Sequence, residues 1–296
     1  MELREIEIFL TLSEELHFGR TAQRLHLSQS RVSQVIQKHE RSIGAPLFQR
    51  TSRVVRLTPI GEQLRDELRP LLRAITDSTD RARAAAGGRT GVLRVGTAAS
   101  NTLELRPFWD AFRAAHPAWD LRVRYQPFSS AMTAIRQGDI DVYIGWLPMT
   151  EPDLTSGPVM FTEPMVVALS LDHQLARRDA VDLEDLAAFE VIDTASAFPL
   201  EYLDVFNPFH TPRGRTITRG PLVADLEQAF SATANGEVAQ PLGGHAARYY
   251  RRPDLTYRQF RQDWTISWGP IWQSENDSPG IRHLTAVLTD LGPRAL

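Results

Sequence analysis

The chain has 296 residues, with 33 basic and 36 acidic side chains, a formal net charge of −3 and no cysteine. That length suits about two domains with sizeable cores, and the lack of cysteine excludes disulfide scaffolds, CxxC redox pairs and thiolate metal sites. Glutamates 2, 5, 7, 14 and 15 interrupt the N-terminal segment, and apolar runs such as residues 165–171 fall far below the roughly 18 residues of a membrane span, so a soluble, cytoplasmic protein without membrane contact is expected.

Leu3, Ile6, Phe9, Leu10 and Leu16 fall near helical spacing and mark a first amphipathic helix. Gly19 is read as the N-cap of a short second helix that turns Ala22 and Leu25 inward, followed by a tight turn at His26-Leu27. Ser28 is a good N-cap for a third helix, on which Val32, Val35, Ile36 and His39 share one side and Ser30, Ser33, Gln34 and Gln37 the other. Gly44 and Pro46 close that region, and LFQRT and VVRLT around Ser52-Arg53 read as a small hairpin. Residues 17–56 hold Arg20, Arg24, Arg31, Lys38, Arg41, Arg50, Arg53 and Arg56 against Glu40 alone, a local charge of +7, whereas residues 91–296 carry −7. A basic module fused to an acidic one is expected.

Thr58-Pro59 starts a long helix, with a capping hydroxyl and proline at its first position. Leu64, Leu68, Leu71, Ile75, Ser78, Ala82 and Ala85 alternate spacings of four and three, the pattern of a helix that packs on another, here most simply a second copy of itself. The plainer alternative is a helix lying on its own domain. Pro70 predicts a bend or break. After Gly91, the segments GVLRVGTA, LRVRYQPF, DIDVYIGW, MVVALSL and FEVIDTA read as strands, interspersed with helical patterns at about 102–115, 129–137, 199–210, 222–235 and 279–291. Such alternation predicts a parallel sheet covered on both faces.

Two short helices joined by a tight turn, the second polar outward, fit a helix-turn-helix. Major-groove readout needs bidentate donors and acceptors on a helix that fits the groove. Gln29 and Gln34 suit adenine, Arg31 suits guanine, and Ser28, Ser30, Ser33, Gln37, Lys38 and Arg20 can contact bases or phosphates. Thr51, Arg50, Arg53 and Arg56 sit on the hairpin, where they can hold phosphates or enter the minor groove.

At this point the residues resemble a family. LREIEIFLTLSEELHFGRTAQRLHLSQSRVSQVIQKHERSIGAPLFQRTSRVVRLTPIGEQL is similar, without a gap, to the winged helix-turn-helix of LysR-type transcriptional regulators. RLHLSQSRVSQVIQKHE, IGAPLFQRTSR and LTPIGE carry the resemblance, while the remainder resembles the family's effector domain by pattern, with WGPIWQSENDSPGIRHL as its closing strand and C-terminal helix. Thr21, Gly19, His39 and Pro70 depart from the family pattern, His39 standing where leucine usually faces the core.

The resemblance implies an α+β multidomain chain: a winged helix-turn-helix DNA-binding domain (1–58), a linker dimerisation helix (59–88) and a two-lobed, periplasmic-binding-protein-like α/β effector domain (89–296). Lobe I would hold about 91–162 and 268–296, and lobe II about 163–267, hinged near 161–164 and 264–269. It places an effector cleft at the turn holding Thr97, Ser100, Asn101 and Thr102, with Phe128, Ser129, Trp146, Thr194 and Ser196 reaching it from other strand ends. Hydroxyls and aromatics together suit a small, partly apolar ligand with an anionic or carbonyl group. Expected partners are double-stranded promoter DNA, a small-molecule effector, a second copy or more (dimer or tetramer) and RNA polymerase. No cofactor or metal is expected: GxSxG, HExxH, P-loop and GxGxxG motifs are absent, and the eight histidines include no i,i+4 pair. Asp139 and Asp141 fit a turn better than acid–base chemistry, and RYYRRPD (248–254) reads as a solvated surface. Two other readings stay open: a ligand-independent architectural DNA binder, and a small-molecule-binding protein or enzyme whose head only oligomerises it.

Overall fold

The computed structural model describes residues 2–50, 55–97, 102–194, 198–223 and 225–295, and divides into two compact units, Met1–Arg83 and Ala84–Leu296. In the first unit, α1 (Leu3–Glu15), α2 (Phe18–Arg24) and α3 (Gln29–Ile43) precede an antiparallel hairpin of β1 (Phe48–Arg50) and β2 (Val55–Leu57), and then α4 (Pro59–Ala86). Ile8, Phe9, Leu12, Ala22, Val32, Val35, Ile36, Leu47 and Phe48 form one core, with Phe9 meeting Phe48 edge-on at 5.7 Å. The buried side of α1 is thus centred on Ile8, Phe9 and Leu12, while Leu3 and Leu16, expected inside, are exposed. On α3 the expected inner face of Val32, Val35, Ile36 and His39 is the buried one.

The cap of α2 is His17, not Gly19: its Nδ1 accepts from the Arg20 amide at 3.2 Å, so the helix starts two residues earlier than the glycine implied. His26 takes a left-handed φ of 54°, which makes the turn tight enough to lead into α3. Gly61 lets α4 touch the hairpin, because a Cβ there would lie 2.2 Å from the Leu47 carbonyl oxygen. Thr58 Oγ accepts from the Gly61 amide at 3.0 Å and donates to the Pro46 carbonyl at 2.8 Å, capping α4 and tying its start to the chain before β1.

Helix α4 runs through Pro70 without interruption, so the expected break does not occur. Its apolar seam also divides. Leu64 and Leu68, with Leu72, pack on the core of their own unit, whereas Leu71 and Ile75 face outward.

The second unit contains β3 (Gly91–Thr97), α5 (Thr102–Ala115), β4 (Trp119–Tyr125), α6 (Ala131–Gln137), β5 (Val142–Leu147), β6 (Leu154–Ser156), β7 (Phe161–Ser170), β8 (Ala180–Val181), β9 (Glu190–Thr194) and α7 (Leu200–Phe206). It continues with β10 (Thr218–Val223), α8 (Leu226–Ala234), β11 (Gln240–Gly243), α9 (His245–Tyr249), β12 (Leu255–Phe260), β13 (Thr265–Gln273), α10 (Pro279–Leu291) and β14 (Arg294–Ala295). The strands are mixed, correcting the expectation of a parallel sheet: β3 runs parallel to β4 and β5, and β9 to β10, but β13 is antiparallel to β5 and β7. The reason is that β7 and β13 serve two lobes. Phe161–Pro164 of β7 pairs with β13, and from Met165 onward the same strand pairs with β11 and β12. The short strands β6, β8 and β10–β12 gave no sequence signal, being brief and one-sided; residues 222 and 223, expected at the start of a helix over about 222–235, instead end β10, and α8 starts only after Asp225 caps it.

Candidate functional site

The first candidate site is the outer face of α3 with the hairpin beside it. Ser28 Oγ accepts from the Arg31 amide at 3.2 Å and lies 3.0 Å from Ser30 Oγ, so the first turn is capped from within. Ser28, Gln29, Ser30, Arg31, Gln34, Gln37 and Lys38 are exposed and Ser33 is half-buried, one turn after another along the same helix. Arg20, Arg50 and Arg56 are exposed on α2, β1 and β2, while Thr51 and Arg53 lie outside the described residues.

The local charge is smaller than the sequence count implied, because α1 supplies acids that the window omitted. Arg20 meets Glu15 at 3.2 Å, Arg24 meets Glu14 at 2.8 Å and Glu15 at 3.0 Å, and Lys38 Nζ meets Glu5 at 2.5 Å. Arg50 meets Glu40 at 2.9 Å and lies over the Phe18 ring. Arg31, Arg41 and Arg56 have no carboxylate partner among the described residues. Glu40 is a bracket rather than a stray charge. Its Oε1 accepts from the Leu47 and Phe48 amides at 3.0 and 3.2 Å, which fixes β1 against α3.

Beneath α3, the buried carboxylate of Glu5 joins α1 to α3. It completes the capping box of α1, binds Lys38 Nζ, and lies 3.3 Å from Nε2 of buried His39, whose Nδ1 has no partner. The Lys38 ammonium, with the α1 cap, holds the Glu5 carboxyl down at about 2.

The second candidate site is a cleft in the second unit, a cavity of about 200 Å³. Tyr125, Trp146, Thr194 and Val223 reach it from the carboxyl ends of β4, β5, β9 and β10, where open α/β folds place ligands. Of the expected residues, Phe128, Ser129, Trp146 and Thr194 line it; Thr97 is buried at the end of β3 and does not. Ser100, Asn101 and Ser196 lie outside the described residues, as does the side chain of Thr102. Sequence reasoning missed Asp225, Gln240, His245, Tyr250 and Trp268. The Gly243-Gly244-His245 run was the available signal, since paired glycines before a histidine mark a close backbone approach.

The aromatic wall is continuous. Phe128 stacks on Phe198 at 4.1 Å and tilts against Trp146 at 4.9 Å, and Trp146 lies 4.2 Å from Phe206 and 5.8 Å from Trp268. Behind it lies Glu163 of β7, whose side chain is fully buried. Its carboxylate accepts from the His245 amide at 2.6 Å, His245 Nδ1 at 2.8 Å and Trp268 Nε1 at 2.7 Å. Gly243 permits this cluster, since a Cβ there would lie 2.6 Å from Glu163 Oε1.

Side-chain hydrogen bonds connect the lobes, three of them away from Glu163 among the described residues. Tyr202 Oη donates to the Trp146 carbonyl at 2.8 Å, Arg248 donates to Glu104 of α5 at 2.9 Å, and Tyr249 Oη donates to the same carboxylate. Burial, with the Glu104 carboxylate beside it, pushes the Tyr249 phenol up to about 12. RYYRRPD is therefore not a plain solvated surface: Arg248 and Tyr249 bind across the lobes and Tyr250 lines the cavity. Asp141 accepts from the Arg94 amide at 2.8 Å, a structural role between neighbouring strands.

No described helix is long and apolar enough to cross a membrane, and the described residues contain no cluster of three or more His, Asp or Glu able to hold a metal. Residues 3–62 match the family model of bacterial regulatory helix-turn-helix proteins of the lysR family, and residues 86–292 match that of the LysR substrate binding domain. The chain is 29% identical over 290 residues to the transcriptional regulator AlsR of Bacillus subtilis, covering 97% of this chain and 95% of that one. It is 35% identical over 191 residues to the regulator TfdT of Cupriavidus pinatubonensis, covering 63% of this chain and 83% of the relative. Among solved structures, the LysR family regulator CbnR superposes with a TM-score of 0.64 at 21% identity over 98% of this chain and 99% of the other, and full-length CbnR has also been solved with its target DNA. The winged helix-turn-helix and the two-lobed binding unit accord with these matches: the chain belongs to the LysR family of DNA-binding bacterial transcriptional regulators.

Proposed function

We propose that the protein is a cytoplasmic one-component switch in which residues 1–58 read promoter DNA, residues 59–88 pair two copies, and residues 89–296 sense a small molecule rather than transform one. The observation that carries this reading is the exposed polar face of α3, with Gln29, Arg31 and Gln34 clear of the core and Arg31 clear of any described carboxylate. Gln29, Gln34 and Arg31 contact base edges, while Ser28, Ser30, Ser33, Gln37, Lys38, Arg20, Arg50, Thr51, Arg53 and Arg56 contact bases or backbone phosphates. Two-fold pairing through the exposed side of α4 gives a dimer, and further pairing a tetramer, at a dyad-symmetric site where RNA polymerase is the downstream partner.

Ser100, Asn101, Thr102, Phe128, Ser129, Trp146, Thr194 and Ser196 remain the proposed effector contacts, now joined by His245, while Thr97, buried at the end of β3 and off the cleft, is not among them. The effector shifts the balance between lobe arrangements held by Glu104, Arg248 and Tyr249, and so changes the spacing of the DNA-binding heads. Footprinting on the DNA beside the protein's own gene is the test. A dyad-symmetric footprint whose length or bend changes with effector is expected; equal affinity for promoter and random DNA would overturn the reading in favour of an architectural binder.

A further inference from the structure

The polar groups around the cleft are unequally available. Asp225 caps α8, accepting from the Gln228 amide at 2.9 Å and from Gln228 Nε2 at 3.2 Å, so its charge is already engaged at that helix N-terminus. Gln240 is also occupied, accepting from the Ile192 amide at 3.0 Å and donating to the Pro241 carbonyl at 2.9 Å. No arginine or lysine is among the described lining residues. Trp146 Nε1, a donor, and Asn207 Oδ1, an acceptor, are buried on the lining without a partner among the described residues, and the third open group is His245. Its Nδ1 is held by Glu163, and its Nε2 has no hydrogen-bond partner among the described residues and opens onto the cavity that the ring lines.

The partner on the far side decides what Nε2 offers. Glu163 accepts from three N–H groups, the His245 amide, His245 Nδ1 and the Trp268 indole, so a carboxylate there has no proton to give. Glu163 therefore keeps a proton on Nδ1, and Nε2 is the ring nitrogen left facing the cavity, an acceptor in the neutral tautomer. A bare acceptor at the end of an aromatic chamber calls for a ligand with a hydroxyl donor on a flat apolar body. An anion meets no described Arg or Lys to offset its desolvation, and Asp225 repels it. The volume, about 200 Å³, exceeds the ~150 Å³ of a cavity known to take benzene, so a single substituted ring fits.

We propose that the cleft binds a neutral, single-ring aromatic hydroxy compound, its ring among Phe128, Trp146 and Trp268 and its hydroxyl donating to Nε2 of His245. This departs from the ligand expected from the sequence, a partly apolar compound with an anionic or carbonyl group, and it rests on the reading of this cleft as the effector site.

The test is calorimetric titration of the full chain without DNA, using phenol, anisole, toluene and benzoate as probes. Phenol should bind at a single site, with anisole and toluene at least about tenfold weaker, because the methyl ether and the hydrocarbon lack the donor. Benzoate should bind no better than anisole. His245→Phe should reduce the advantage of phenol over anisole to less than about twofold, and the comparison of phenol with anisole on the unaltered chain needs no variant to fold. Equal binding of phenol and anisole, tighter binding of benzoate, or no saturable binding of phenol would each overturn the proposal. Failure here leaves the footprint on promoter DNA untouched. Phenol that binds through His245 without altering that footprint would support the ligand class and count against the effector reading alone.

Discussion

Arg31 and Arg56 differ from Arg20, Arg24, Lys38 and Arg50 in having no carboxylate beside them among the described residues, so the DNA contacts proposed for them need no ion pair broken first. Arg31→Ala and Gln34→Ala should each weaken specific binding by about 1–3 kcal/mol and relax preference at one base pair, read by gel shift against single-base operator variants. Arg56→Ala should instead weaken all sequences alike and reduce the salt slope by about one; an unchanged slope would remove its phosphate role. Glu5 gives a residue-scale prediction about stability. Its folded carboxyl titrates near 2, below its ordinary value of 4.5, so its contribution is present above about 4.5 and is lost as pH falls toward 2. Urea midpoints should drop over that window, and Glu5→Gln should flatten the drop. The exposed polar face of α3 was legible from helical spacing. Their ion pairs were not, because Glu5, Glu14 and Glu15 lie outside the basic window and reach it only through packing.

At the scale of elements, Glu40 shows how a single side chain sets the relation between α3 and the hairpin. It holds two β1 amides and Arg50 at once, so Glu40→Ala should raise hydrogen exchange at Leu47 and Phe48 and weaken DNA binding while helix content stays the same. Helix α4 presents the complementary case. Its four-three spacing foretold packing, but periodicity cannot distinguish packing on the same unit from packing on a second copy. Leu64, Leu68 and Leu72 take the first role, and Leu71 and Ile75, 59% and 46% exposed, remain open for the second. Leu71→Arg with Ile75→Arg should shift sedimentation toward monomer without lowering the melting temperature of the chain; an unchanged oligomeric state would place the pairing surface elsewhere. Pro70 was expected to break this helix and does not. Proline removes a single backbone hydrogen bond, and contacts on either side, such as Leu68, Leu72 and the Arg69–Glu14 pair, keep the axis continuous.

At the scale of the whole molecule, the charge asymmetry separates a basic DNA-binding unit from an acidic second unit, and the proposed sensing rests on the two lobes of the latter. Glu104 is the one carboxylate holding both Arg248 and Tyr249 across them. Glu104→Ala should loosen that closure, seen as a larger radius of gyration by small-angle scattering and as weaker binding of cleft ligands. An unchanged radius would mean that Tyr202 and the aromatic wall suffice to hold the lobes.

The sequence by itself determined the helix-turn-helix, the cap at Ser28, the inner face of α3, the first strands of the sensing unit and the outward polar residues. All of these follow from interactions within a few positions along the chain, where spacing is geometry. Only the tertiary structure decided the mixed strand directions, the neutralising role of α1, the division of the α4 seam and the making of the cleft. Glu163, His245 and Trp268 meet from segments more than eighty positions apart at their widest, between β7 and β13. No local period encodes that meeting; it exists because β7 and β13 cross between the lobes and carry a buried carboxylate to the back of an aromatic cavity.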